Sequence, residues 1–204
     1  EFTISRGKIS ASEKPKPLKA DYLLSYKGVK LAVVEAKSDE SPVGEGVMQA
    51  KLYAQMLQIR YTYATNGDEI YEIDMLTGQE GIVVAFPSPD ELWQRTFGEV
   101  NQWRDKFYAE PFYFDEGKQL RYYQEIAVNR VLEAIANGNN RILLTLATGT
   151  GKTMLAFQIA WKLYQTRWNI HNNNLRPRIL FLADRNILAN QAFNGFGGFA
   201  KIDE

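Results

Sequence analysis

The chain has 204 residues, 45% of them hydrophobic and 24% charged, values of a globular protein with room for one large core or two small ones. Its 24 basic and 24 acidic residues cancel, which excludes a global field that gathers nucleic acid and leaves any such contact to local patches. Cysteine is absent, excluding disulfides and thiolate metal sites, and no apolar run approaches the roughly 20 residues that span a bilayer. No membrane partner and a cytoplasmic location are expected, since the opening residues do not read as a signal peptide.

Ala20–Tyr26 and Val29–Lys37 are predicted as two strands joined by a turn at Lys27-Gly28. Glu45 to Leu57 carries Val47, Ala50, Tyr53, Ala54 and Leu57 at helical spacing. Tyr61–Ala64 and Ile70–Ile73 flank Asn66-Gly67 and read as a second strand pair. Ile82–Phe86 is predicted as a further strand, and Pro87-Ser-Pro-Asp90 caps a helix starting at Glu91.

An aromatic stretch follows: Trp93, Phe97, Trp103, Phe107, Tyr108, Phe112, Tyr113 and Phe114. Few basic residues alternate with these rings, which favours packing at a domain boundary over stacking on bases. Leu120–Ala136 is predicted as an amphipathic helix with Tyr123, Ala127, Val131 and Ile135 on one face and Gly138 ending it. A strand over 142–146, a helix over 153–165 with Leu155, Ile159 and Leu163 inward, and a strand over 178–183 complete the pattern. Strand–helix–strand of this kind implies a parallel sheet. His171, the single histidine, sits in a run of asparagines and reads as a loop residue.

Ala147-Thr148-Gly149-Thr150-Gly151-Lys152-Thr153 is the most informative stretch. Two glycines turn the backbone so that its N–H groups converge on an anion, and the following helix adds the positive end of its dipole. Lys152 is then placed for the β- and γ-phosphates, and the Thr153 hydroxyl for Mg²⁺. Position 146 is leucine where the common form of this loop has glycine.

A second constellation lies near the start. Glu35 and Lys37 are two apart, so on a strand they leave the same face, and a tight turn brings Asp21 beside them. Asp21, Glu35 and the Ala36 carbonyl form an oxygen set suited to Mg²⁺, and Lys37 is placed to stabilise charge on a phosphodiester. A solvated hairpin rim is the alternative on spacing alone. Gln49 and Tyr53, four apart on one helical face, reach toward the same strand ends.

Taken together, A-D-Y-L-L, V-V-E-A-K and Q-A-K-L-Y resemble the PD-(D/E)-x-K nuclease domain of type I restriction enzyme motor subunits, with its Q-x-x-x-Y extension. R-Y-Y-Q-E-I-A, A-T-G-T-G-K-T and L-F-L-A-D-R-N-I-L-A-N-Q-A resemble the helix ahead of motif I, motif I and motif Ia of superfamily 2 helicases. The resemblance implies an α/β protein: a restriction-endonuclease-like mixed-sheet domain over 1–90, a packing segment over 91–118, and the start of a RecA-like parallel-sheet P-loop domain over 119–204. It implies Asp21, Glu35, Lys37, Gln49 and Tyr53 as the nuclease centre. ATP is expected on residues 147–153, with Gln124 at the adenine edge and Arg121 as a second candidate. Asp184 and Arg185 match motif Ia. The basic residues Arg6, Lys8, Lys14, Lys16 and Lys19 precede Asp21.

The implied protein is an ATP-dependent, DNA-translocating restriction endonuclease subunit, acting on double-stranded DNA with methyltransferase and specificity subunits. Two alternatives stay open: a helicase–nuclease of repair or phage defence without methylation partners, and a non-catalytic binding module on an ATPase. No motif II is present before residue 204, so ATP hydrolysis by these residues alone is not expected.

Overall fold

In a computed structural model the described residues are 3–5, 19–114 and 119–182. They form two compact units, residues 1–100 and 101–204, each with its own packing. The packing segment expected at 91–118 is divided between them.

The first unit is built on a six-stranded mixed sheet in sequence order, β1 (Thr3–Ser5), β2 (Tyr22–Tyr26), β3 (Val29–Ala36), β4 (Tyr61–Thr65), β5 (Ile70–Asp74) and β6 (Glu80–Val83). Lys27 and Gly28 both have positive φ, 49° and 76°, which is the two-residue hairpin turn that matches strand twist. β3 and β4 pair in parallel, and every other neighbour is antiparallel. The parallel pair needs a crossover, and a 3-10 turn (Val43–Gly46) running into helix α1 (Val47–Leu57) supplies it. Leu31 to Glu35 are all buried, so both faces of β3 are covered. Ala50, Tyr53, Ala54 and Leu57 bury the inner face of α1.

The last strand lies at Glu80–Val83 rather than over the expected 82–86, because Ile70 to Ile73 of β5 pair only with these earlier residues. Val84 is left fully exposed and Phe86 turns onto Tyr63, ring centroids 5.2 Å apart. Helix α2 (Pro89–Phe97) follows, with the Ser88 hydroxyl accepting from Glu91 N–H and Pro89 in the first turn.

The second unit holds α3 (Gln102–Ala109), α4 (Tyr122–Ala136) and α5 (Lys152–Gln165). Its core is Phe107, Ala127, Val128, Leu132 and Leu155, with Trp103, Phe112, Ile135, Ile159 and Leu163 packed against it. Asn101 caps α3 through Trp103 and Arg104 N–H, and its amide donates to Ala136 O at the end of α4. Buried Arg104 makes a two-pronged pair with Glu133, Nε to Oε2 at 2.8 Å and Nη2 to Oε1 at 2.6 Å. The aromatic stretch thus packs within each unit: Trp93 on Phe97 in the first, and Trp103 on Phe107 and Tyr113 on Trp161 in the second.

Two expectations fail here. Residues 142–146 and 178–182, expected as strands, belong to no strand, and their parallel pairing is not made among the described residues. An extended segment becomes a strand only when a neighbour takes its backbone groups. Without one, Leu143, Leu180 and Leu182 are more than four-fifths exposed. Ala183, Asp184, Arg185 and the rest of motif Ia lie outside the described residues, as do Arg6, Lys8, Lys14 and Lys16.

Candidate active site

The end of β3 gathers the first candidate group. Asp21, just ahead of β2, accepts from the Ala36 N–H at 2.9 Å, so one carboxylate oxygen is tied to the rim of β3. Glu35 faces the same end and is 2% exposed. Lys37 N–H donates to Thr65 O at 2.8 Å, continuing the parallel ladder past the last residue of β3. Its Nζ donates to Glu35 Oε1 at 2.9 Å and to Gln49 Oε1 at 3.1 Å. The Gln49 amide then donates to the Tyr53 hydroxyl at 2.9 Å. All five sequence-predicted residues meet in one cluster drawn from the β2 entry, the β3 exit and one face of α1.

Charge in this cluster is unevenly satisfied. Burial pushes the Glu35 carboxyl above its usual range; the Lys37 bond opposes the rise and the neighbouring Asp21 carboxylate adds to it. Lys37 is held above its usual value, first by its bond to Glu35. The second Glu35 oxygen, Oε2, is buried with no hydrogen-bond partner. A buried carboxylate oxygen in that condition carries an uncompensated desolvation cost, which a cation relieves. Asp21, Glu35 and the Ala36 carbonyl are hard oxygen donors of the kind Mg²⁺ takes, so the residues present fit a divalent ion. No larger cluster of His, Cys, Asp or Glu that suits a metal occurs among the described residues.

The second candidate group is the loop ahead of α5. Gly149 and Gly151 take φ of 79° and 86°, left-handed values that any Cβ would strain. Gly151 has a further reason to be glycine: a Cβ there would lie 2.6 Å from Gln124 Nε2. The Gln124 side chain donates to Thr150 O at 2.8 Å and accepts from Arg121 N–H at 2.9 Å. It braces the loop from α4. Arg121 is exposed and its guanidinium donates to the Tyr123 hydroxyl. Thr150 Oγ1 closes the loop on Ala147 O at 2.7 Å. α5 begins at Lys152, one residue earlier than expected, with Lys152 exposed at its N-terminus and Thr153 half-buried. Thr148 is exposed.

Sequence reasoning missed two side chains on α5. Gln158 and Lys162 are buried beside Leu155, while Ile159 and Leu163, expected inward, do pack against the core but are only partly buried. Gln158 exchanges two bonds with the Tyr113 backbone, at 3.0 and 2.6 Å, and Lys162 Nζ donates to Phe107 O and Glu110 O at 3.0 and 2.5 Å. Their polarity at i and i+4 on an otherwise apolar face was the available signal.

Similarity to known proteins follows the same lines. Over 202 residues the chain is 43% identical to the type I restriction enzyme EcoAI endonuclease subunit of Escherichia coli, covering 94% of this chain and 24% of that subunit. It is 36% identical over 155 residues to the EcoKI endonuclease subunit of E. coli K12, covering 70% of this chain and 12% of the relative. A solved fragment of an HsdR subunit from a type I restriction enzyme of Vibrio vulnificus YJ016 superposes with TM-score 0.77 at 42% identity, covering 97% of this chain and 37% of that one. The chain belongs with the endonuclease subunits of type I restriction enzymes. Residues 117–204 also match the family described as the res subunit of type III restriction enzymes. The chain spans about a quarter of the length of the first of these relatives. No helix among the described residues is long and apolar enough to cross a membrane.

Proposed function

We propose that this chain carries the nuclease centre and the nucleotide-binding loop of an ATP-dependent, DNA-translocating restriction endonuclease subunit. In this reading the first unit is a PD-(D/E)-x-K nuclease domain and the second opens a RecA-like motor domain. Its substrate is double-stranded DNA, and its partners are the methyltransferase and specificity subunits of a type I complex. The observation that carries the reading is the convergence of Asp21, Glu35, Lys37, Gln49 and Tyr53 at one strand end, with Glu35 Oε2 buried and unpartnered.

Asp21, Glu35 and the Ala36 carbonyl would hold Mg²⁺, which when bound polarises a phosphodiester and acidifies water. Lys37 brings a positive charge to the same rim, where it stabilises negative charge developing on a phosphoryl oxygen. Gln49 keeps the ammonium aimed: the donor-only ammonium takes the Gln49 carbonyl, and the amide's NH₂ is left to donate to the Tyr53 hydroxyl. At the other site, the N–H groups of residues 149–153 and the Lys152 ammonium bind the triphosphate, and Thr153 offers its hydroxyl to the accompanying Mg²⁺. Gln124 holds the loop in its binding form and keeps one amide proton for the adenine edge.

Two substitutions in the intact subunit, assembled in its complex, test this. Asp21→Ala is expected to abolish cleavage of circular DNA and leave ATP hydrolysis intact. Lys152→Ala is expected to abolish ATP hydrolysis and with it ATP-dependent cleavage. Cleavage by Asp21→Ala at the wild-type rate would remove the nuclease centre from this chain.

A further inference from the structure

We infer that Gly46 is a positioning residue of the nuclease centre, which sets the distance between the start of α1 and the ends of β3 and β4. The inference rests on the nuclease reading above. Gly46 closes the 3-10 turn, is buried, and has φ −81° and ψ −18°. Those are right-handed helical angles open to any residue, so backbone conformation is not why glycine stands here. Space is. A Cβ at this position would lie 3.3 Å from Ala64 Cβ, 3.4 Å from Glu35 Cγ and 3.6 Å from Lys37 Cγ. Carbon atoms sit comfortably at about 3.5–4.0 Å, so the contact to Ala64 is a few tenths of an ångström too close and the contact to Glu35 is at the edge of ordinary packing. Two of the three neighbours are the proposed metal-binding carboxylate and the lysine beside it.

The contact cannot relax in every direction. Ala64 Cβ has no rotamer and is fixed by the ladder in which Glu35 pairs with Ala64. Retreat of α1 is resisted by Thr62, whose hydroxyl lies 3.2 Å from both Val33 O and Ala50 O. It is resisted also by Asn66, whose amide donates to Ser41 O at 3.1 Å. Side-chain displacement of Glu35 and Lys37 is therefore the softest response. Any retreat that does occur moves Gln49, three residues on, away from its 3.1 Å bond to Lys37. Either response disturbs the centre. Gly44, two residues earlier, makes the internal comparison, since a Cβ there meets nothing within 4 Å.

The experiment compares Gly46→Ala, Gly44→Ala and Gly46→Ala/Ala64→Gly in the intact subunit within its assembled complex, with Asp21→Ala in the same assay. Cleavage of circular DNA, ATP hydrolysis and melting temperature are measured together. Gly46→Ala is expected to lower cleavage about tenfold or more, within the hundredfold that a 1 Å misplacement brings, with ATP hydrolysis unchanged. Gly44→Ala should cleave as wild type. Removing the Ala64 methyl opens the closest contact, so the double variant should cleave faster than Gly46→Ala despite the added strand glycine. Wild-type cleavage by Gly46→Ala, beside an inactive Asp21→Ala, would overturn the inference alone. So would a folded double variant no faster than Gly46→Ala. An active Asp21→Ala would overturn the nuclease reading and this inference with it.

Discussion

The ammonium of Lys37 stands 2.9 Å from Oε1 of Glu35, a carboxylate buried at the end of the same strand. Two residues apart on extended backbone, the groups leave one face and meet beyond it, each holding the other's charge. Lys37→Ala is expected to lower DNA cleavage by at least about a hundredfold, the scale of a lost donor to developing charge. Lys37→Arg should recover only part of the rate, because a planar guanidinium sets its charge differently. Plasmid cleavage by the assembled complex measures both, and wild-type cleavage by Lys37→Ala would leave the ammonium without a role.

Gln49 and Tyr53 give a graded test. The Gln49 carbonyl bonds to a charged group, a contact worth about 1.5–3 kcal/mol, so Gln49→Leu should slow cleavage by roughly tenfold or more. Tyr53→Phe keeps the buried ring and loses only the hydrogen bond that the Gln49 amide donates. Its effect should be smaller. A larger loss from Tyr53→Phe than from Gln49→Leu in matched kinetics would contradict the order Lys37–Gln49–Tyr53.

Much of this arrangement was legible in the sequence because it rests on short-range rules. The turn at Lys27-Gly28, the spacing of Glu35 and Lys37, and the helical spacing of Gln49 and Tyr53 together carried the cluster. The loop at 147–153 was legible through its glycines. What was not legible depends on neighbours. Residues 142–146 have the composition of a strand, yet a strand exists only through pairing, and none is made among the described residues. Gly46 is silent in sequence because its reason is the position of Ala64, eighteen residues on. Gln158 and Lys162 broke the apolar pattern of α5, but only the Phe107–Tyr113 backbone shows what they hold.

Lys162 predicts a pH dependence in the second unit. Burial pushes its ammonium down from 10.5 to about 8, although Glu110 and Glu125 pull the other way. A base with a depressed folded pKa gives stability that is present above 10.5 and lost as pH falls through about 8. The melting temperature of wild type relative to Lys162→Met should therefore rise between those two values. A difference independent of pH across that window would contradict a buried, titrating Lys162.

Asp74 predicts the opposite end of the scale. The Arg60 guanidinium, bonded to both oxygens at 3.0 and 2.8 Å, holds its carboxyl down at about 2. The shift from 3.8 corresponds to roughly 2 kcal/mol of stability at neutral pH, lost as pH falls from 3.8 toward 2. Asp74→Asn should lower the melting temperature at pH 7, and the gap to wild type should narrow in acid. An equal gap at both pH values would contradict the pair.

The most direct test of the proposed nuclease centre is divalent-ion binding without nucleotide. Mn²⁺ titrated into the intact subunit and followed by electron paramagnetic resonance reports bound ions independently of DNA or ATP. Wild type is expected to bind one ion more than Glu35→Ala and one more than Asp21→Ala, while Lys152→Ala binds as wild type. Equal Mn²⁺ binding by wild type and both carboxylate variants would contradict a metal centre at Asp21 and Glu35.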